Sequence, residues 1–426
     1  MSMKHTDKLY AGYLSLLQKE LVPAMGCTEP VALALVAAKA RDILGNPPDR
    51  ILVEVSGNII KNVKSVVIPN TGGLKGIIPA VAAGYVAGDS DKALEIFDCI
   101  ESDMWSKIES FVKNTPIVVQ IADTERVLEI IITVYSGESW ARVRLADAHT
   151  NIVSVIKDGQ SVFQAELDPV EIGKTSGTML DVQNIVNFAD AVNIADVRDI
   201  IERQIEYNSA ISKEGLSGEY GANIGKLLRE SYGDDIKVRA KSAAAAGSDA
   251  RMGGCGMPVI ILSGSGNQGM TASLPVIEYA GHLGSSHEEL IRALALSDLI
   301  AIHLKTGIGR LSAYCGVVCA GAAAGAGIAY LHGEKMEGVA HTLANALAIT
   351  SGIVCDGAKP SCAAKIASSV DAGILGYEMF RNGRQFYGGD GILSKGVEKT
   401  IRNIWRLGKE GMYKTDKEIL QIMLED

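Results

Sequence analysis

The chain has 426 residues, 47% of them hydrophobic, with a formal net charge of -9 and a pI near 5.4. That length supports two or three domains around a large core, and the acidic balance without a polybasic tract excludes a nucleic-acid-binding surface. Seven cysteines, an odd number without disulfide-framework spacing, point to a reducing compartment in which thiols serve as ligands or reagents.

Residues 6–22 carry Leu9, Tyr10, Tyr13, Leu14, Leu16 and Leu17 at helical spacing. Gly26-Cys27-Thr28-Glu29-Pro30 then leads into the apolar run 31–38, with Pro30 suited to a first helical turn. Cys27 therefore stands just ahead of a helix N-terminus, where the dipole should lower a thiol pKa, unless it is only a small buried residue of the turn. From residue 50 the pattern becomes β-rich, with strands expected at 51–55, 64–68, 116–121, 128–134, 140–145, 151–156 and 161–163. Helices are expected between them at 78–86 and 90–112.

Beyond Pro169 the strand signal fades and helices are expected at 182–195, 195–207, 221–232, 270–279, 288–306, 313–331 and 336–348. Residues 313–331 are roughly nineteen in number and uncharged, yet mostly Ala and Gly, which suits a closely packed buried helix better than a membrane span. The fold class expected is α+β: an Ala/Gly-rich helical domain (169–426) with an inserted, largely antiparallel sheet domain (49–168). The N-terminal helices (1–48) would pack on the helical part. The polar N-terminus, without the apolar core of a signal peptide, predicts a soluble, cytoplasmic protein free of membrane contacts. Closely packing helices and a sheet edge are compatible with a homodimer.

The stretch with most chemistry is Cys355-Asp-Gly-Ala-Lys-Pro-Ser-Cys362, a Gly/Pro loop whose two thiols can converge at a helix start. Cys315 and Cys319 lie forty residues upstream, inside the helix expected at 313–331. C-x3-C and C-x6-C are not the short pairs of a structural zinc site, although four cysteine ligands to zinc remain an alternative. Three thiolates on a [4Fe–4S] cluster would leave one iron open as a Lewis acid; the bland alternative is unrelated core cysteines. His303 and His341 fit no metal spacing. Ser263-Gly264-Ser265-Gly266-Asn267-Gln268-Gly269 is a Gly-rich turn whose N–H groups could bind a carboxylate, and equally a plain turn. It is neither a Walker A loop nor a dinucleotide fingerprint. Asn70-Thr71-Gly72-Gly73 is a weaker version of it, and Arg251 is a candidate carboxylate fork.

Taken together, Gly26–Pro30, Ser248-Asp-Ala-Arg-Met-Gly-Gly254, Ser263–Gly269 and Cys355–Cys362 resemble the L-cysteine desulfidase family, relatives of the iron–sulfur L-serine dehydratases. The resemblance runs from about residue 9 to 423. It implies that Cys315, Cys355 and Cys362 hold the [4Fe–4S] cluster, with Cys319 the rival of Cys315, and that Cys27 is the catalytic proton acceptor. Cys99 and Cys255 receive no role. Thr28, Glu29, Asn70, Thr71, Arg251 and residues Ser263, Gly264, Ser265, Gly266, Asn267 and Gln268 are the candidate substrate-binding groups for a small amino acid.

The chemistry implied is β-elimination of L-cysteine without pyridoxal phosphate, giving pyruvate, ammonia and hydrogen sulfide. No lysine stands out in a Schiff-base setting. The same machinery could instead dehydrate L-serine, and a non-catalytic cluster-containing or amino-acid-binding sensor is the alternative from another class.

Overall fold

The computed structural model describes residue 3, residues 7–167 and residues 180–425; the boundary expected near residue 168 lies outside them. The N-terminal part runs α1 (Lys8–Glu20), β1 (Pro23–Met25), α2 (Thr28–Leu44), β2 (Arg50–Val55), α3 (Gly57–Val63), α4 (Ile77–Ala87) and α5 (Trp105–Asn114). Five strands follow: β3 (Ile117–Ile121), β4 (Glu129–Ser136), β5 (Ser139–Ala146), β6 (Ile152–Lys157) and β7 (Gln160–Gln164). The rest is helical but for β8 (Pro258–Ile260). Its helices are α6 (Val182–Ala191), α7 (Ile194–Ser217), α8 (Ile224–Tyr232), α9 (Ile236–Met252), α10 (Gly266–Leu283) and α11 (His287–Thr306). They continue with α12 (Gly316–Leu331), α13 (Met336–Thr350), α14 (Cys362–Arg381), α15 (Val397–Arg406) and α16 (Tyr413–Glu425).

The fold is α+β. Six strands form one sheet in the order β3-β2-β4-β5-β6-β7, parallel only between β2 and β3. Alternation places Ile51, Val53 and Val55 opposite Val134, Ile132 and Ile130, and these opposite Ala141, Val143 and Leu145, all buried. The apolar α2 covers that face and packs beside α4, so it lies on the sheet, whereas α1 packs against α7 and α11. The strand expected at 64–68 does not form: Val67 makes an isolated bridge to Lys75, and the chain folds back so that Ile68 N–H donates to Leu74 O. The single helix expected at 90–112 is broken, with left-handed backbone at Ala93, into short 3-10 turns ahead of α5.

In the helical part, α12 lies buried against α10, α11, α13 and α14. A Cβ on Gly321 or Gly325 would come within 2.4–2.5 Å of the Ser369 or Gly373 carbonyl, so the small residues that mimic a membrane span are what let α12 and α14 touch backbone to backbone. Among the described residues no helix is long and apolar enough to cross a membrane.

Candidate active site

A two-stranded antiparallel ribbon sets up the site. β1 and β8 pair antiparallel, Met25 opposite Pro258 and Pro23 opposite Ile260, and the N-termini of α2 and α10, each just after one of these strands, open on one cavity. Cys27 is the N-cap residue of α2 and Ser265 that of α10. Arg251, buried at the end of α9, ties the two turns: its Nε donates to Gly26 O at 2.9 Å and its Nη1 to Asn267 Oδ1 at 3.1 Å. The Thr28 hydroxyl donates across to Gly264 O at 2.9 Å.

The opposite wall carries the thiols. Cys315 is the N-cap residue of α12, one turn ahead of Cys319, and Cys362 opens α14. The loop from Cys355 to Cys362 runs back across α3, with left-handed backbone at Gly357. Cys27, Cys315, Cys355 and Cys362 all line one cavity of about 90 Å³, whereas Cys319 is fully buried in α12 and does not line it. The helix begins at Gly316, so Cys315 stands in the loop ahead of it and Cys319 in the helix core.

Electrostatically the thiols are unequal. The hydrogen bond from the Cys315 thiol is the main influence lowering Cys355, opposed by burial and helped by Lys61, the Gly357 N–H and Lys305. Donating that bond, together with burial, holds Cys315 well above its ordinary value. Burial raises Cys362 and takes Cys319 up to about 11. Cys355 is therefore the more acidic thiol of the pair.

Cys27 departs from the expectation of a lowered pKa. Its Sγ donates to Glu29 Oε2 at 2.9 Å, and burial, then the Glu29 charge, push the thiol well above its ordinary value against the pull of Arg251. A helix dipole worth about 1 kcal/mol does not outweigh a buried carboxylate in contact. Burial works to raise Glu29, but the His149 ring and the Cys27 thiol outweigh it and hold the carboxyl down to about 2. The Asn62 amide donates to Glu29 Oε1 at 3.1 Å, and His149 Nε2 stands 3.7 Å from the same oxygen, beyond hydrogen-bond reach.

Of the residues expected from the sequence, Cys27, Thr28, Glu29, Arg251, Ser263, Gly264, Ser265, Asn267, Gln268, Cys315, Cys355 and Cys362 line this cavity. Gly266 backs it: a Cβ there would meet Arg251 Nε at 2.4 Å. Asn70 and Thr71 do not line it, because their side chains hold a turn, Asn70 donating to Phe97 O and Thr71 to Ile68 O. Arg251 spends two N–H groups on the turns and is first a brace. The sequence reading missed Asn62, His149, Lys305, Arg310 and Tyr314, which also line the cavity. Lys305 is the buried lysine of the cavity lining; burial lowers its pKa, and Cys319, Cys355 and Cys315 oppose that, which marks it as a counter-charge to thiolates. Lone polar residues on distant segments give no local signal.

The cavity lining leaves buried polar atoms without partners: Asn62 Oδ1, His149 Nε2, Gln268 Oε1 and Tyr314 OH. Such atoms are costly unless a ligand or water meets them. Among the described residues no three His, Cys, Asp or Glu groups stand close enough to share one metal ion. A cubane cluster asks for something different, since each thiolate binds its own iron, and three cavity-facing thiols with two buried lysines behind them, Lys61 and Lys305, fit that donor set.

A model of the serine dehydratase alpha chain family matches residues 91–421. Similar relatives are UPF0597 proteins: one from Desulfitobacterium hafniense is 57% identical over 425 residues, covering 100% of this chain and 99% of the relative. One from Lachnoclostridium phytofermentans is 49% identical, covering 98% and 100%, and one from Treponema denticola 46% identical, covering 97% and 98%.

Proposed function

The chain belongs to the serine dehydratase alpha chain family, whose chemistry is that of a lyase acting on a small amino acid, and on that premise we propose that it catalyses β-elimination of L-cysteine to pyruvate, ammonia and hydrogen sulfide. The observation that carries the proposal is the meeting of Cys27 with Cys315, Cys355 and Cys362 around one small cavity. Cys315, Cys355 and Cys362 would hold a [4Fe–4S] cluster. When bound, it supplies a Lewis-acidic iron that no protein thiolate occupies.

The chain's own residues do the rest. Cys27 Sγ, at the cavity wall, accepts the α-proton, a weakly acidic one that needs a base held within reach. Loss of that proton and of the β-substituent gives aminoacrylate, which water converts to pyruvate and ammonia. The N–H groups opening α10 between Gly264 and Asn267 receive the substrate carboxylate, as helix N-termini do for anions. The resting thiol is neutral, so Cys27 becomes the base only after its own proton has passed to bulk water, with Glu29 left ionised.

L-Serine is the second reading, favoured by the family match itself; hydroxide in place of hydrosulfide would leave by the same route. The test is anaerobic purification with iron and sulfide analysis, followed by assay of L-cysteine beside L-serine. Sulfide and pyruvate in equal amounts from cysteine support the desulfidase reading, and pyruvate from serine alone moves the activity to dehydration. Protein that stays free of iron after reconstitution overturns the cluster.

A further inference from the structure

Building on that reading, we propose that Glu29 is the subsite for the substrate's α-ammonium group, so that the cavity selects amino acids with a free α-amine and sets the α-carbon beside Cys27. Among the described residues lining the cavity, Glu29 is the sole carboxylate, facing His149, Arg251, Lys305 and Arg310. It is 6% exposed, and no lysine or arginine among the described residues pairs with it. Its ionic neighbour is the His149 ring, 3.7 Å from Oε1, so this buried carboxylate has no permanently charged partner in contact among the described residues.

Its present donors are neutral groups that can be exchanged. Oε2 accepts from Cys27 at 2.9 Å, and Thr28 lies 3.2 Å away but shares its single proton with Gly264 O. Oε1 accepts from Asn62 at 3.1 Å, while His149 stops at 3.7 Å. The Thr28 proton can turn wholly to Gly264 O and the Cys27 proton can leave, so Oε2 is the oxygen that can turn to an incoming N–H donor. Asn62 and His149 act as positioning residues for Oε1.

An α-amino acid brings both charges the cavity can use. Its carboxylate suits the basic side chains and the N–H groups opening α10, and its ammonium suits Glu29. The ammonium nitrogen and the departing proton are bonded to the same carbon. Because Cys27 Sγ already touches Oε2, an ammonium on Glu29 brings the α-hydrogen to that sulfur. The same cation would offset the charge that now holds the thiol, a coupling that involves Glu29, His149 and Arg251 together.

The test uses two probes that lack a leaving group, L-alanine and propionate, with dissociation constants measured by calorimetry on the full chain. The wild type is expected to bind L-alanine at least about tenfold more tightly than propionate, the worth of one charge-assisted hydrogen bond. Glu29→Gln should bring that ratio close to one without weakening propionate, and Glu29→Asp should restore part of it. An unchanged ratio in Glu29→Gln, or no preference in the wild type, overturns the proposal. If Glu29→Gln does not fold, Asn62→Ser carries the test: it should weaken L-alanine several-fold and spare propionate, and equal losses for both overturn the assignment. Failure of the elimination reading would appear separately, as absence of pyruvate from cysteine and serine while the alanine preference persists.

Discussion

The backbones of Cys315 and Cys355 are stitched together: Cys315 N–H donates to Ile353 O at 3.2 Å and Cys355 N–H to Ala313 O at 2.7 Å, an antiparallel bridge centred on Tyr314 and Val354. Two segments forty residues apart are thereby held in register before any ligand arrives. Replacing Cys315, Cys355 or Cys362 with Ser should therefore leave the fold intact and remove most of the iron retained after anaerobic reconstitution. Cys319→Ser, altered one helical turn away in the core, should keep it. Iron and sulfide analysis decides this, and an iron-free Cys319→Ser beside an iron-replete Cys315→Ser would reverse the assignment.

Cys27 separates binding from chemistry. Cys27→Ala should retain iron and amino-acid binding while kcat for pyruvate formation falls by about 10²–10⁴, the range for loss of a positioned base. Solvent deuterium should also cease to exchange into the substrate α-position. A variant that keeps wild-type kcat would sink Cys27 as the proton acceptor.

What the sequence made legible was local. The Gly/Pro loop between Cys355 and Cys362, the Gly-Cys-Thr-Glu-Pro turn at Cys27 and the Gly-rich turn at 263–269 each announce themselves within a few residues, and all three line the cavity. Asn62, His149 and Lys305 were invisible because α3, the turn after β5 and α11 meet only through long-range packing. The direction of the Cys27 shift was missed for a related reason. The dipole of α2 is a property of the sequence, whereas the S–H bond to Glu29 is a property of rotamers and burial. Residues 64–68 read as a strand by composition, yet they fold back on Leu74 and Lys75 in a local turn and do not join the sheet.

Gly357 should be intolerant of any side chain. Its φ is +96°, and a Cβ would sit 2.2 Å from Lys61 O, a backbone atom of α3 that cannot swing away. Gly357→Ala is expected to cost on the order of 2 kcal/mol or more from left-handed strain plus the clash. It should displace the loop that carries Cys355 and Cys362, lowering both melting temperature and iron content. Unchanged values of both would show that the loop does not depend on this backbone shape.

Asp298 predicts the pH dependence of stability. It is fully buried on α11, with Oδ1 accepting from Gln204 Nε2 at 3.0 Å, while Asp298 Oδ2 and Gln204 Oε1 both lack partners. A proton on Oδ2 would satisfy both atoms, and burial, weakly opposed by Gln204, takes this carboxyl up to about 7. In the unfolded chain the group ionises near pH ~4. Between those values the native state keeps a proton that the unfolded state has released, so stability falls as pH rises through the window and levels off above it. Asp249, raised by burial to about 6, acts in the same direction, whereas Glu29 acts oppositely and only below about pH 4.5. Asp298→Asn supplies an N–H in place of the proton. It should leave the melting temperature at pH 5 nearly unchanged and raise it by several degrees at pH 8. Thermal melts across pH 4–9 check this, and parallel curves for wild type and Asp298→Asn would show that Asp298 is ionised in the folded protein.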